Sequence, residues 1–229
     1  MKISTKTLDI LKNFSEINQS IVIKPGNIIK TVNPLKNILA QAEIAENFVN
    51  EFAIYNINEF ISYLSELNEP DLIFNEKYFT VLTKDDKGGI YPAKYKYADP
   101  TFIVQPPEKG ISMPECDINF ELTTDIYCHL NKIATILQLH DLQIKGCSKS
   151  NKVYMILTNK KDKASNNHSR IVGDSASKNF NVYIKRENLK IIPGDYKVSI
   201  SSEGVSHFKN KAENLEYWIA MEPDSNYGE

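Results

Sequence analysis

Two stretches, FAIYNINEF at residues 52–60 and FNVYIKREN at residues 180–188, are one pattern written twice. Phe52 matches Phe180, Ile54 matches Val182 and Tyr55 matches Tyr183 at one constant offset. In each copy an alternating run, which reads as a half-buried strand, leads into a run with helical spacing. The surroundings repeat as well. Ahead of the block each half opens with an amphipathic helix and a short apolar strand: residues 5–17 then 21–23, and residues 124–137 then 142–144. Behind it come extended segments at 71–74 and 195–199, each followed by two or three more strand-like runs. The pattern predicts an α+β fold of two similar domains per chain, each with two helices packed on antiparallel sheets.

The densest punctuation lies between the copies, in ADPTFIVQPPEKGISMPE, which holds Pro100, Pro106, Pro107, Gly110 and Pro114. Proline fixes its own φ and pushes the preceding residue toward extended geometry, so residues 98–114 read as an extended connector. The predicted domains are 1–108 and 109–229. Within the first, Gly88-Gly89 after Asp86-Lys87 reads as a hairpin turn.

Helical faces follow from spacing. In the first helix Ile10, Leu11, Phe14 and Ile17 form the apolar stripe, and Lys2, Lys6 and Lys12 share the polar side with Asp9 and Glu16. In the second, Ile57, Phe60, Ile61, Leu64 and Leu67 form the stripe, and Asn56 with Glu59 makes a capping box. Its polar side carries Asn58, Glu59, Ser62 and Glu66 and no lysine. In the third, Ile126, Leu130, Ile133 and Leu137 read as core, with Cys128, Lys132 and Thr135 opposite. A fourth helix near 186–191 must be short, because Pro193-Gly194 stops it.

Composition excludes several classes. The chain has 229 residues, 41% hydrophobic and 24% charged, which is ordinary for a globular protein. No run reaches the roughly 18 apolar residues of a membrane span. The opening residues MKISTKTLDILKNF lack a compact apolar core and cleavage site, so no signal peptide and a cytoplasmic location are expected. Cys116, Cys128 and Cys147 are odd in number and far apart, which disfavours a disulfide framework or a paired-cysteine zinc site. His129, His140, His168 and His207 share no metal-ligand spacing. Phosphate-binding glycine loops and a GxSxG elbow are absent, so no catalytic residue, metal or cofactor is expected. A formal net charge of -2 is too low for a surface that binds nucleic acid all over; any DNA contact must be confined to one face.

At this point a resemblance becomes specific. The opening MKISTKTLDILKNFSEIN, the FAIYNINEFISYLSELN block, the YADP start of the connector, the IIPGDYKV turn and the closing YWIAMEPDS are similar, collinearly and over essentially the whole chain, to the sliding clamps of T-even-like tailed phages. The resemblance implies a DNA clamp fold and a ring-shaped homotrimer, with helices lining a central hole and sheets outside. It implies a protein that encircles double-stranded DNA without sequence preference and tethers the replicative DNA polymerase. An ATP-dependent clamp loader, partner peptides, transcription factors of late transcription and the cytoplasm of an infected bacterial host belong to the same expectation.

Carried onto this sequence, the resemblance makes Lys2, Lys6, Lys12, Lys132, Lys185, Arg186 and Lys190 the DNA-facing candidates. The partner-peptide pocket is expected among Ile103, Val104, Pro106, Trp218, Ile219, Ala220, Met221 and Pro223, an apolar set with an adaptable methionine. Subunit contacts are expected at residues 89–94 and 168–174, with Ile90, Tyr91, Ile171 and Val172 at the interface. The polar, basic loop NKKDKASNNHSR lies beside the second of these. Two other readings compete. A single-stranded nucleic-acid-binding protein would use the 12 Tyr and 10 Phe as stacking platforms. A metal-dependent nuclease would need Glu43, Glu46 and Glu51, or Glu66, Glu69 and Asp71, as carboxylate clusters.

Overall fold

The computed structural model describes residues 1–84, 88–162, 164–174 and 178–228. It divides into two units, Met1–Glu108 and Lys109–Glu229.

In the first unit, helix α1 (Thr5–Ile17) starts where the Ser4 hydroxyl accepts the Thr7 amide at 3.3 Å. Its buried face holds Ile10, Leu11, Phe14 and Ile17, the stripe that 3.6-residue spacing selects, and Thr7 beside them. Strands β1 (Ile21–Ile23), β2 (Gly26–Val32), β3 (Ile38–Phe48) and β4 (Phe52–Ile54) follow; β1 pairs antiparallel with β4, and β2 with β3. Helix α2 (Ile57–Ser65) is capped by Asn56, whose side chain accepts the Glu59 amide at 3.2 Å. It buries Ile57, Phe60 and Leu64; Ile61 is half-buried and Leu67 lies past the helix end. Strands β5 (Asp71–Phe74), β6 (Tyr78–Lys84) and β7 (Ile90–Lys96) form an antiparallel sheet with β7 at one edge. The turn predicted at Gly88-Gly89 lies in the β6–β7 connection, where Gly88 has φ +80; Asp86 and Lys87 before it fall outside the described residues. The core is aromatic: Phe52 meets Phe48 at 5.2 Å and Tyr97 at 5.6 Å, and Phe79 meets Phe60 at 5.4 Å. Such ring pairs add about 0.5–1.5 kcal/mol each beyond burial.

The second unit repeats this order behind one extra strand. After β8 (Ile118–Leu122), which the sequence reading did not identify, come α3 (Thr124–Ile136), β9 (Asp141–Cys147), β10 (Lys152–Thr158), β11 (His168–Gly173) and β12 (Phe180–Lys185). A helical turn leads to β13 (Tyr196–Ser201), β14 (Val205–Asn210) and β15 (Leu215–Ala220). One sheet has the order β11-β10-β9-β12. In the other, β13 lies between β8 and β14, and β14 pairs onward with β15. The matched sequence blocks occupy equivalent strands: β4 pairs with the strand after α1, and β12 with the strand after α3. Even β8 has a vestige in the first unit, where the Met1 carbonyl accepts the Leu72 amide of β5 at 2.9 Å.

Two helical expectations need correction. The fourth helix is only a 3-10 turn, Arg186–Asn188. Beyond it the backbone is held by tyrosines instead of by helical bonds: Tyr127 donates to the Ile191 carbonyl at 2.9 Å, and Tyr196 donates to the Ile192 carbonyl at 2.6 Å. The Tyr217 hydroxyl accepts the Ile192 amide at 3.2 Å. Burial pushes the Tyr196 phenol up to about 12. On α3 the fully buried side chains are Tyr127, Leu130 and Ala134, while Ile126, Ile133 and Leu137 are half-buried. The stripe is turned by about one residue because Tyr127 must reach those carbonyls.

Candidate functional site

The helix-borne cations divide by unit. In the first, Lys6 and Lys12 are exposed on α1, and Lys2 pairs with Glu69 at 3.0 Å. The Ser15 hydroxyl lies 2.8 Å from the Asn58 amide oxygen, so the polar sides of α1 and α2 adjoin. Exposed Asp9, Glu16, Glu59 and Glu66 share that surface, and acids outnumber lysines on it. In the second unit the Arg186 guanidinium donates to Thr135 on α3 at 2.5 Å, so Arg186 stands beside the face that carries exposed Lys132. Lys185 is 3.9 Å from Glu222, and Lys190 is half-buried. Lys12 and Lys132 make no ion pair among the described residues. The cations are thus interspersed with acids, some of them paired, and exposed charges in such a setting are screened by salt.

The interface candidates sit on sheet edges. β7 is the last strand of its sheet, with Ile90 63% and Tyr91 56% exposed. β11 is the last strand of the other, with Ile171 51% exposed and Val172 buried. A strand edge presents backbone donors and acceptors ready to pair with another chain, and apolar side chains on such an edge need a cover. The neighbouring loop 159–170 is described except at Lys163; in it Lys160 lies over the Tyr183 ring at 4.4 Å.

The pocket candidates behave differently from one another. In the first unit Ile103 is buried against Val22 and Ala53, which fastens the connector to β1 and β4. Pro106 then forms, with Val22, Ile28 and Pro107, the apolar part of a cavity of about 200 Å³ rimmed by Lys24 and Lys30. Lys24 pairs there with Glu108 at 3.2 Å. Ile28 and Val104 are exposed. Sequence reasoning missed Val22, Ile28, Lys24 and Lys30; the signal available was an exposed-side isoleucine on β2, an unexpected residue for a solvated strand face. In the second unit Ile219 is fully buried and belongs to the core, whereas Trp218 and Met221 are buried and Pro223 is exposed. Trp218 stacks on His207 at 4.8 Å, and its indole N–H has no hydrogen-bond partner among the described residues. Ala220 is half-buried.

Structure weakens both competing readings. Most phenylalanines are core residues, and the exposed aromatics are few: Tyr55, Tyr91 and Phe102. Stacking platforms need exposed faces. Of the acidic candidates, Glu46 is buried and occupied with the Ser4 amide and the Thr7 hydroxyl, each at 2.5 Å. Among the described residues no group of three or more His, Cys, Asp or Glu is placed to hold a metal.

Known proteins with this arrangement are processivity factors. The family described as "DNA polymerase processivity factor" matches residues 2–103, and "gp45 sliding clamp, C terminal" matches residues 119–223. The sliding clamp of Vibrio phage KVP40 is 34% identical over 225 residues, covering 97% of this chain and 99% of that protein. Those of Escherichia phage RB69 and Enterobacteria phage T4 are each 30% identical over 99% of this chain and 99% of the relative. The fold is also that of the proliferating cell nuclear antigen of Entamoeba histolytica, with TM-score 0.65, 13% identity and 94% of both chains covered. A PCNA2–PCNA3 complex from Sulfolobus tokodaii gives TM-score 0.66 at 11% identity, over 93% of this chain and 94% of that one. Fold and matches together define a DNA polymerase processivity factor, a class that carries no catalytic centre. The chain belongs to the phage sliding-clamp family. It acts in phage DNA replication, and the single-strand-binding reading is set aside.

Proposed function

We propose that three copies of this chain close into a ring around duplex DNA through a head-to-tail contact, with β7 of one copy paired to β11 of the next. The observation that carries this reading is that an edge strand in each unit carries strongly exposed apolar side chains, Ile90 and Tyr91 on β7 and Ile171 on β11. Two different edges on one chain make a heterologous contact, which closes only at a fixed rotation per subunit. Lys6, Lys12, Lys132 and Arg186 then face the phosphates, with Lys2, Lys185 and Lys190 as further candidates. A lining in which lysines alternate with acids favours sliding: each phosphate contact is weak, non-specific and quickly exchanged.

The apolar groove at Val22, Ile28 and Pro106 is the site we assign to partner peptides, the polymerase's first, with an aliphatic or aromatic anchor seated between the lysine rims. A clamp loader driven by ATP opens the ring, and transcription factors of late transcription use the same groove. The setting is the cytoplasm of the infected host. The test is primer extension on singly primed circular DNA, with ring mass followed by light scattering. Lys12→Glu with Lys132→Glu is expected to shorten products at moderate salt and leave the mass of a trimer unchanged. Product lengths equal to those of the unaltered clamp would remove these lysines from the lining, and a monomeric mass for the unaltered chain would remove the ring.

A further inference from the structure

The offset that relates Ala53 to Asn181 also relates Ala98 to Asn226, and both pairs are bonded alike. The Ala98 amide donates to the Ala53 carbonyl at 2.9 Å, and the Asn226 amide donates to the Asn181 carbonyl at 2.7 Å. In each unit, therefore, the segment that follows the last strand returns to the outer edge of the strand in the repeated block. The two returns are held by different means. In the first unit the return is nailed down by buried Ile103. In the second, residues 222–228 hold no buried side chain: Pro223, Asp224 and Asn226 are exposed, and Ser225 and Tyr227 are half-buried.

This strap covers the β12 edge poorly. Asn181 and Asn226 exchange two backbone bonds, at 2.8 and 2.7 Å, and the Glu222 amide reaches the Tyr183 carbonyl at 2.8 Å. The Tyr183 amide, however, donates to the Ser225 hydroxyl at 3.0 Å instead of to a carbonyl. The cause is a turn inside the strap, where the Ser225 amide donates to the Glu222 carbonyl at 3.0 Å. The ladder is broken where a straight peptide would continue it. Half-buried Tyr227, whose hydroxyl is enclosed, and charge hold the strap otherwise: both Asp224 oxygens accept from Lys160 at 2.7 Å, and Glu222 lies 3.9 Å from Lys185. Exposed ion pairs of this kind are weak and screened by salt. Beside them a polar cavity of about 370 Å³, lined by Gln143, Lys160 and Tyr183, opens along the strand. Exposed Lys145, on β9 opposite Asn181 in register, and exposed Lys178 add positive charge nearby. Among the described residues Asp162, which lines that cavity, is engaged by the Ala164 amide at 2.9 Å, and Asp141, opposite Lys185 in register, by the Lys160 amide at 2.8 Å.

We propose that the outer edge of β12 is a docking site for an extended, acidic peptide segment of a partner protein, and that residues 222–228 occupy it in the free chain as a displaceable stand-in. The incoming segment adds a continuous strand to β12 and sets a carboxylate on Lys160, in place of Asp224. The site lies wholly within the second unit and is built from main chain and lysines, unlike the apolar groove at Pro106.

The probe is a fluorescein-labelled octapeptide of alternating aspartate and valine, titrated by anisotropy at low salt. Asp224→Lys, which breaks the Lys160 contact, is expected to raise the affinity at least tenfold over the unaltered chain. Lys160→Glu is expected to lower it at least tenfold. Equal affinity in the unaltered chain and the Asp224→Lys variant, or indifference to Lys160→Glu, overturns the proposal. Should either variant misfold, amide hydrogen exchange on the unaltered chain decides. Added salt is expected to speed exchange at Asn226 ahead of the β12 core, and the peptide is expected to protect Tyr183; an unprotected Tyr183 amide overturns the assignment.

Discussion

Replacing Glu46 by alanine is expected to destabilise the first unit by about 3 kcal/mol, since its carboxylate makes two buried, charge-assisted hydrogen bonds worth roughly 1.5–3 kcal/mol each, less the relief of desolvating it. Glu46 is 7% exposed on β3, and its oxygens take the Ser4 amide and the Thr7 hydroxyl at the first turn of α1. Ser4 is the N-cap of that helix, so the carboxylate also sits where the helix dipole favours negative charge. Without it the Ser4 amide is left unpaired, and α1, which carries Lys6 and Lys12, is free to fray from β3. For a chain of this length that loss lowers the unfolding midpoint by roughly 6–12 °C. Burial alone raises the carboxyl pKa, but the bonds from Thr7 and Ser4 outweigh it and leave the group below its ordinary 4.5. The stabilisation is therefore fully present above the unfolded value near 4.5 and is lost as pH falls through the lower folded value. Thermal unfolding of the Glu46→Ala variant, followed by circular dichroism from pH 7 to pH 3, checks both points. A variant within about 0.5 kcal/mol of the parent at pH 7, or a gap that does not narrow in acid, refutes the reasoning.

Burial holds the His207 imidazole below its usual 6.5 despite the hydrogen bond to Glu216 at 2.9 Å, so its neutral form is preferred when folded. Stability is then full above about 6.5 and declines as pH falls from there through the folded value; urea midpoints at pH 7.5 and 5.5 are expected to differ less for His207→Gln than for the parent. A Cβ at Gly146 would stand 2.2 Å from the Phe180 ring, so Gly146→Ala is expected to cost about 1–3 kcal/mol in urea unfolding and to be partly rescued by Phe180→Leu. Ile171→Asp, at a half-exposed edge position, is expected to leave the circular dichroism spectrum of the folded chain unchanged and to reduce the mass seen by light scattering from a trimer toward a monomer.

Much of the architecture was carried by periodicity. The stripe Ile10, Leu11, Phe14 and Ile17 is buried as spacing requires, because a helix that must cover a sheet has one choice of face. The repeat from Phe52 to Phe180 marks equivalent strands because the same register must bury the same alternate residues. The strands β7 and β11, which lie at sheet edges, were located by element order together with the family resemblance. What periodicity does not encode is which distant groups meet. Residues 186–191 have helical spacing, yet the hydroxyls of Tyr127, Tyr196 and Tyr217 take the backbone groups that a helix would have used. The groove at Val22 and Ile28 exists only because Ile103 brings the connector onto β1.

The sequence by itself determined the duplication, the positions of α1, α2 and most strands, and the family, since these rest on local spacing and on collinear motifs. Tertiary structure alone decided the turned face of α3, the 3-10 turn in place of a helix, the buried carboxylate under α1 and the strap on β12. Each of these depends on a hydrogen bond or ion pair between residues far apart in the chain, and such a partner is chosen by the packed fold, not by the residues beside it.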